Sequence, residues 1–552
     1  MTAVQGVAVS AASRVLYLAE RVWIPPTTEG QEGEQAGNLI DGGAGVLVVD
    51  GLVRAVGRAR DLAPAEASVH IIDFGDATLT PGLIDAHSHP IWGLEMIRGC
   101  DLAGADTLEE VITRLRTEQE GLADDEWLFG YGLDPAVFDG PITNDFLTEA
   151  AGASRAAWVT MFDAHSAIVS DESLRIAGVT AGVTFADGSE ITSRPDGRPS
   201  GYLLEFSAID TVRPFAPTPP IEEQAERLSA LFDEMAATGI TQVHALDLRT
   251  PYALEMLETI EHERDLPVRL RVSPWCEPRQ SDDEVDATIA KIGTHGRRWR
   301  VEGMKFFIDG TIDGGSAWLE RPDSQGECLG STWSDPELYA RRIRQCHEAG
   351  IATATHAIGD RGVRYAAETL ATLDGSITHR IEHLEVVADE VIELMAKHGI
   401  VASMQPTHCT LYTDPYRQDT WSERLGDERV NLGWRIGDVR RGGVTVALGS
   451  DWPIAPFDPR GTIADAALRR RHNEPDSLQI GPEQAISVSA AIESASHNGA
   501  RSIDWNGGSL EVGSAADFTV FAGDPFVIDP QAFADIPVMA TVVEGRIAYR
   551  RG

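Results

Sequence analysis

The sequence has few cysteines, and none of them are spaced as metal-binding pairs. Five cysteines are scattered over 552 residues, their number is odd, and no two form a C-x-x-C motif. This pattern argues against a disulfide framework and against a zinc site built from thiolates. We therefore expect a protein of a reducing compartment, the cytoplasm. The five are Cys100, Cys276, Cys328, Cys346 and Cys409.

Long apolar runs are also missing from the sequence. No apolar stretch approaches the roughly 18 to 20 residues that are needed to span a membrane. Residues 1–19 contain no clean apolar core followed by a small-residue cleavage site. We therefore predict neither a membrane span nor a secretory signal.

Basic residues are scarce relative to acidic ones. The chain has 46 Lys and Arg against 86 Asp and Glu, which gives a net charge of −40. Such a surface repels phosphate backbones and anionic lipids, so it argues against nucleic-acid binding and against binding to a membrane surface. The same acidity is typical of the solvated surface of a large soluble protein. We expect a small molecule as the partner.

Between the two ends of the chain, short apolar runs alternate with helix-like stretches. This alternation predicts an α/β fold in which helices cover a parallel sheet. Eight such runs end in polar residues, which favours a (β/α)₈ TIM-like barrel with its chemistry at the carboxyl ends of the strands. The predicted strands are the run through Leu83 and residues 240–245, 268–273, 303–308, 351–356, 377–383, 400–405 and 444–450, with helices at 220–238, 335–349, 361–373 and 388–398.

The pattern also predicts a division into domains. Short β-type runs separated by Gly, Asp and Pro recur only in residues 1–80 and 505–552, so we expect both ends to build one sheet domain. Residues 81–504 would form the barrel. Residues 100–219 are too many for a strand-to-helix loop, and we predict a cap over the active site. Residues 27–43, rich in Gly, Glu and Gln, are expected to form an exposed loop.

One stretch carries the first candidate metal ligands. Residues 81–90 read Pro-Gly-Leu-Ile-Asp-Ala-His-Ser-His-Pro, and alternation along a strand puts His87 and His89 on the same face. Neutral imidazole is the commonest protein ligand of divalent metals. Such a pair also occurs as plain polar groups on an edge strand or loop, so the rest of the chain has to supply further ligands.

Further candidate ligands lie at the ends of other predicted strands. Lys305 is inside the fourth strand, His356 closes the fifth, His383 closes the sixth, and Asp451 follows the eighth. Imidazole and carboxylate together suit zinc or a similar divalent ion. A site of this kind with an open ligand position is catalytic rather than structural.

These residues lie in motifs that resemble the amidohydrolase superfamily. More narrowly, they resemble its family 3, which includes the N-substituted formamide deformylase-like enzymes. The resemblance runs from about residue 7 to the C-terminus and implies a metal-dependent hydrolase on a distorted barrel, with a composite β-sandwich from the two ends and a possible homodimer. The motifs are residues 81–89, 303–310, 355–361, 380–383, 403–406, 449–453 and 515–518.

The resemblance also implies a role for each ligand. His87, His89 and Asp451 would hold a first divalent metal ion, and His356 and His383 a second. Lys305 occupies the position where many relatives carry an N-carboxylated lysine that bridges two ions. That modification requires a neutral amine, which burial favours. The alternative is a single ion, with Lys305 as a nearby cation. In either case the ligands favour zinc.

The expected chemistry is hydrolysis by a metal-activated water. Asp451 would act as general base and then as general acid for the leaving nitrogen. The expected bond is a non-peptide C–N bond of an amide or an N-substituted formamide. Hydrolysis of an ester, lactone, carbamate or cyclic amide, or deamination, would use the same site, and a non-catalytic metal-binding barrel is the third alternative.

Other residues are candidates for contacting the substrate. His165 lies in the predicted cap and matches a family motif, so we expect it to reach the substrate from above, although it could simply pack within the cap. Gln405 and His408 follow the seventh strand and could orient a substrate carbonyl or a water near the metal, although His408 could also be an exposed loop residue. Three aromatic residues near the motifs are candidates for an apolar pocket wall: Trp92, Trp318 and Trp452.

Overall fold

The computed structural model describes residues 14–26, 37–62, 69–250 and 252–552. Residues 1–13, in the segment inspected for a secretory signal, and residues 27–36, in the predicted exposed loop, lie outside these ranges. Within the described ranges, no helix combines the length and the apolar character that crossing a membrane requires.

The centre of the molecule is an α/β structure, in which the described residues form nine parallel strands. In chain order they are β1 (Leu83–Ser88), β2 (Ile240–Ala245), β3 (Arg269–Val272), β4 (Trp299–Val301), β5 (Met304–Phe307), β6 (Thr353–Ala357), β7 (Arg380–His383), β8 (Val401–Met404) and β9 (Val446–Leu448). They form a four-stranded sheet in the order β4-β3-β2-β1 and a five-stranded sheet in the order β5-β6-β7-β8-β9. The predicted α/β class is confirmed.

The two parallel sheets meet at both of their edges. A parallel bridge joins Trp275 to Lys305, and a second one joins Ser88 to Trp452. At the second edge the amide of Asp451 donates to the carbonyl of His87 at 2.7 Å. The described residues form no closed sheet, because these contacts are isolated bridges. They nevertheless bring the carboxyl end of β1 beside the residues that follow β9.

Each of the eight predicted runs overlaps one of the parallel strands. The observed strands are shorter, as in the run 444–450, where only β9 is extended. The strand β4 was not predicted, because it has only three residues and its central residue, Arg300, is charged and exposed. Three residues are too few for an alternating pattern to be recognised.

Helices cover the parallel sheets and bury one face each. In the helix Asp360–Leu370, Val363, Ala366, Ala367 and Leu370 are buried, which is the spacing of an amphipathic helix. The predicted helices overlap Ile221–Ala237, Pro336–Glu348, Asp360–Leu370 and Asp389–His398. The remaining helices here are Gly93–Met96, Ala253–Glu263, Asp282–Ile289, Pro406–Tyr412, Thr420–Arg429, Ile436–Arg441, Pro459–Leu468, Val488–Ser494 and His497–Arg501.

The segment between β1 and β2 has a sheet of its own. Its seven strands, in spatial order, are Val183–Thr184, Glu190–Ser193, Pro199–Leu204, Ser166–Val169, Ala157–Met161, Leu128–Leu133 and Cys100–Asp101. The helices Leu108–Gln119, Asp145–Ala151, Asp171–Ile176 and Glu205–Val212 belong to the same segment. The strand pair 166–169 and 199–204 carries residues that reach the candidate active site.

The two ends of the chain share a six-stranded sheet. Its spatial order is Arg546–Arg550, Val538–Val543, Phe518–Ala522, Ala77–Pro81, Arg21–Ile24 and Asn38–Ile40. Phe518 pairs with Pro81 in an antiparallel register, and only Gly82 separates that strand from β1. The sheet therefore fixes the start of β1. A four-stranded sheet contains Leu52–Arg58, Ala44–Val49, Arg14–Ala19 and His70–Asp73, and two short helices are Ala59–Leu62 and Pro530–Phe533.

Candidate active site

Three side chains from two distant parts of the chain converge at the carboxyl end of β1. The Nε2 atoms of His87 and His89 lie 3.2 and 3.1 Å from Oδ1 of Asp451. The possible ligand atoms of all three lie within 4.8 Å of one another, and all three residues are buried. Burial lowers the pKa of His89 to about 4, so this imidazole is neutral at pH 7 and able to bind a metal ion.

The ring of His87 is oriented by a buried carboxylate. Its Nδ1 donates to Oε2 of Glu382 at 2.7 Å. Glu382 is held in turn by Arg380, whose Nε donates to Oε1 at 2.6 Å. Burial alone would raise the pKa of Glu382, but the charges of Arg380 and His87 hold it well below its ordinary value. With its proton on Nδ1, His87 presents the lone pair of Nε2 to the cluster.

A second group of ligand atoms shares Asp451. It consists of His383, His408 and Asp451, again with the ligand atoms within 4.8 Å of one another. His383 Nδ1 and His408 Nε2 lie 3.9 and 3.7 Å from Oδ2 of Asp451. Among the described residues, neither ring nitrogen of His383 has a hydrogen-bond partner, and Nε2 of His408 has none. Burial lowers the pKa of both imidazoles, that of His383 well below its ordinary value.

His356 lies beside this second group without belonging to either cluster of close ligand atoms in the described residues. Its ring centroid is 4.5 Å from that of His383. Its Nε2 donates to the carbonyl of Gly310 at 3.2 Å. Burial, helped by the charge of His165, holds the pKa of His356 well below its ordinary value, so the ring is neutral.

Lys305 is fully buried beneath the histidines. Its Nζ lies 3.5 Å from Nε2 of His87 and 4.9 Å from the centroid of the Phe307 ring. Burial lowers the pKa of its ammonium group to about 8, although the carboxylates of Glu382 and Asp451 oppose that change. The amine is therefore much closer to neutrality than an ordinary lysine.

Asp451 is ionised and stands in an unusual backbone conformation. Burial would raise its pKa, but the neighbouring imidazoles of His87, His89 and His383, that of His87 most strongly, hold it well below the ordinary value. Asp451 has φ 59° and His383 has φ 72°, in the left-handed region. A non-glycine residue in such a conformation costs about 1–3 kcal/mol, and strain of this kind concentrates at functional sites.

His165 enters the site from the segment between β1 and β2. Its Nδ1 lies 3.0 Å from Oε2 of Glu205, and its ring centroid is 5.4 Å from that of His356. Burial would lower the pKa of His165, but the carboxylate of Glu205 outweighs it and raises the pKa to about 9. At neutral pH the ring is therefore a cation that faces the histidine cluster.

These groups border a cavity with about 730 Å³ of empty space, counted to its open mouth. The candidates His89, Trp92, His165, Lys305, His356, His383, His408 and Asp451 line it, and His87 lies directly behind them. Three candidates are not among the described residues that line the cavity. Trp318 packs against Tyr365 and Trp452 packs against Phe457. Gln405 is buried, and neither side-chain amide atom has a hydrogen-bond partner among the described residues.

The residues present fit a divalent metal ion. Buried imidazole nitrogens without partners are costly, and here they surround an ionised carboxylate. A bound cation would satisfy both the unpaired nitrogens and the carboxylate. A donor set of imidazole nitrogen and carboxylate oxygen suits zinc or a similar ion.

A comparison with protein-family models decides the family. The model described as "Amidohydrolase family" matches residues 70–549. The chain belongs to the amidohydrolase family. The resemblance noted in the motifs is thereby confirmed.

Individual relatives of this amidohydrolase cover nearly the whole chain. It is 27% identical over 524 residues to a protein named putative amidohydrolase YtcJ from Bacillus subtilis, covering 92% of this chain and 96% of that one. It is 21% identical over 544 residues to N-substituted formamide deformylase of Arthrobacter pascens, covering 92% and 95%. The crystal structure of an uncharacterized metal-dependent hydrolase from Pyrococcus horikoshii has a TM-score of 0.70 at 22% identity, covering 93% and 99%, and shows the same fold.

The sequence patterns did not predict that Glu382 and Glu205 belong to the amidohydrolase site. Glu382 stands directly before His383, inside a motif that drew attention only to the histidine. Glu205 is 40 residues from His165, and the two meet because Ser166 pairs with Leu204 across two antiparallel strands. Only the position of Glu382 beside a candidate ligand was available as a signal.

Proposed function

We propose that this amidohydrolase hydrolyses a non-peptide C–N bond of a small molecule, an amide or an N-substituted formamide, in a reaction that depends on a divalent metal ion. The observation that carries the proposal is the buried cluster of His87, His89 and Asp451 at the wall of a cavity. The Arthrobacter relative, named as an N-substituted formamide deformylase, supports the choice of bond.

Two groups of side chains would hold the metal. His87, His89 and Asp451 would be the ligands of one ion, and His383 with His356 or His408 those of a second, with Lys305 in its carboxylated form as a further ligand. Zinc suits these ligands best. A bound ion of this kind supplies Lewis acidity, which polarises a carbonyl and brings the pKa of water down towards about 7.

Asp451 acts as general base and then as general acid in this proposal. Its carboxylate is ionised and buried, and it borders the cavity where the scissile bond would lie. It takes the proton of the attacking water and delivers that proton to the leaving nitrogen. General acid–base catalysis of this kind contributes about 10²–10⁴-fold to a rate.

His165 stabilises the carbonyl oxygen in this proposal. Glu205 keeps the ring protonated, and the ring borders the cavity beside His356. A cationic donor aimed at the position where negative charge develops lowers the barrier of the reaction.

We also propose a domain architecture for the chain. The bridges Trp275 to Lys305 and Ser88 to Trp452 support a distorted (β/α)₈ barrel within residues 81–504. Residues 100–219 would act as its cap, and residues 1–80 and 505–552 would build the composite β-sandwich. A homodimer is the expected assembly.

The test compares scissile bonds on protein reconstituted with zinc. Matched formamides, other amides, esters, lactones, carbamates and aminopurines are assayed for release of formate, amine, alcohol or ammonia. We expect amine release from amides or formamides, and its loss after chelation with recovery on adding metal. Release of only alcohol or ammonia would move the function to another bond. Full metal loading without any hydrolysis would favour a non-catalytic metal-binding barrel.

A further inference from the structure

Three carboxylates line the cavity without belonging to the two metal-ligand clusters. Asp163 comes from the segment between β1 and β2, Asp313 from the loop after β5, and Glu385 from the loop after β7. We call these three residues the acidic end of the cavity. The reaction proposed above uses none of them.

The carboxylates of the acidic end form no close ion pair with a basic side chain of the described residues, although the charges of His165 and Arg424 act on Asp163 and Asp313 from farther away. No Lys, Arg or His side chain of the described residues lies within 4.0 Å of them as an ion pair, although such pairs are common elsewhere in the chain. Glu385 is only 8% exposed. Its Oε2 accepts from the indole of Trp421 at 2.7 Å, whereas its Oε1 has no protein hydrogen-bond donor in the described ranges.

The pKa of Asp313 is that of a buried carboxyl without a close positive partner among the described residues. Its pKa is raised to about 7, first by burial and then by the neighbouring charge of Asp163. Like charges brought together away from water repel each other. A positive group placed between them would remove that repulsion.

The wall around the acidic end is aromatic. Trp421 and Trp434 lie with their ring centroids 5.6 Å apart, and Phe162 and Tyr412 lie 5.0 Å apart. Aromatic faces attract organic cations, most strongly where water is excluded. The indole Nε1–H of Trp434, a residue 6% exposed, has no hydrogen-bond acceptor in the described part of the chain, which indicates an acceptor atom of a ligand beside it, distinct from the cationic group.

A small metal ion does not suit the acidic end. Within the described residues, two groups bring three ligand atoms within 4.8 Å of one another, and neither includes Asp163, Asp313 or Glu385. Carboxylates that are spread along an aromatic wall suit a larger cation with several N–H donors or alkyl groups.

We propose that the acidic end binds an organic cation, so that the substrates are amides or formamides whose N-substituent carries an ammonium or amidinium group. Glu385 and Asp313 hold the charge, and Trp421 and Trp434 cover its apolar part. The identity of the cleaved bond rests on the proposed function, whereas the binding of the cation does not.

The experiment uses a matched pair of substrates and a matched pair of variants. The zinc-reconstituted enzyme is assayed with N-[4-(aminomethyl)benzyl]formamide and with N-[4-(hydroxymethyl)benzyl]formamide. We expect kcat/KM to favour the cationic substrate by about tenfold or more, as a charge-assisted hydrogen bond would give. Glu385→Gln, which can still accept from Trp421, and Asp313→Asn should reduce that ratio to near unity.

A control variant separates the local site from the general acidity of the protein. Glu428 is exposed and pairs with Arg321 on the surface, so Glu428→Gln removes one charge without touching the cavity. It should leave the ratio unchanged. An equal fall in this control, or a wild-type ratio near unity, would overturn the proposed cation site while leaving amide hydrolysis intact.

A binding measurement decides the inference even if neither formamide is hydrolysed. Calorimetry compares benzylammonium with benzyl alcohol on the metal-loaded wild type and on Glu385→Gln. Tighter binding of the cation that is lost in the variant supports the site. Equal affinity for the two probes, or a preference that survives in Glu385→Gln, refutes it.

Discussion

Oε2 of Glu382 lies 2.7 Å from Nδ1 of His87, and both side chains are completely buried. Arg380 donates a hydrogen bond to each carboxylate oxygen of Glu382. These bonds fix the orientation of the Glu382 carboxylate and therefore that of its hydrogen bond with His87. That hydrogen bond keeps the proton of His87 on Nδ1 and leaves Nε2 free towards Asp451. The metal-binding form of His87 is thus prepared by a residue that is not itself a candidate ligand.

The first prediction concerns this contact. Glu382→Gln keeps the shape of the side chain but removes the negative charge that faces His87. Loss of such a partner typically costs about 10–100-fold in metal affinity, and we expect a fall in that range. Competition with a chelator measures it. Glu390→Gln removes an exposed carboxylate that pairs with Arg364, and it serves as control. Equal zinc affinity in Glu382→Gln and the control would contradict the prediction.

The second prediction concerns His383. Among the described residues neither buried ring nitrogen has a hydrogen-bond partner, and a bound metal ion would provide one for the nitrogen that faces Asp451. We expect His383→Ala to lose part of the bound metal and about two orders of magnitude or more in turnover, because several kcal/mol of charge stabilisation would be lost. Metal analysis and an amide panel measure the two effects. Exposed His295→Ala is the control, and unaltered activity in His383→Ala would remove His383 from the ligand set.

Much of this site could be predicted because strand ends are recognisable in a sequence. Polar residues that follow buried runs mark the carboxyl ends of parallel strands, and such ends meet at one edge. This reasoning predicted the neighbourhood of His87, His383 and Asp451 across more than 350 residues. The α/β class followed from the same alternation of runs and helices.

Residues in loops could not be predicted in this way. Glu385 faces the cavity because β7 ends in a left-handed turn at His383 and Leu384, and periodicity does not reveal such a turn. His408 lies buried on the helix Pro406–Tyr412, whereas the sequence suggested a contact with substrate or water, or an exposed loop position, and not its closeness to Asp451. Trp318 stands near motif residues in the chain but packs away from the cavity, since sequence proximity does not determine side-chain direction.

The third prediction concerns Lys305. Burial lowers its pKa to about 8, so near that pH a large fraction of the amine is neutral and able to capture carbon dioxide. We expect a carbamate signal when the protein is equilibrated with ¹³C-bicarbonate and zinc and examined by NMR. The signal should be absent in Lys305→Arg and present in Lys397→Arg. A protein without the signal, or one that retains it in Lys305→Arg, would favour the single-ion site.

The fourth prediction concerns the pH dependence of stability through His165 and Glu205. The pKa of His165 is raised from 6.5 to about 9 in the folded protein, against the effect of burial, by the carboxylate of Glu205. A raised pKa stabilises the fold fully below the unfolded value and loses that contribution as pH rises through the folded value. The difference in unfolding free energy between wild type and Glu205→Gln should therefore be largest below pH 6.5 and shrink by about pH 9. Denaturant titrations at several pH values measure it.

The control for this prediction is Glu172→Gln. It removes a carboxylate that pairs with Arg175, which does not titrate in this range, so its effect should not vary with pH. A Glu205→Gln difference that stays constant or grows with pH would mean that His165 is neutral in the folded protein, and the proposed cationic donor above the scissile bond would have to be abandoned.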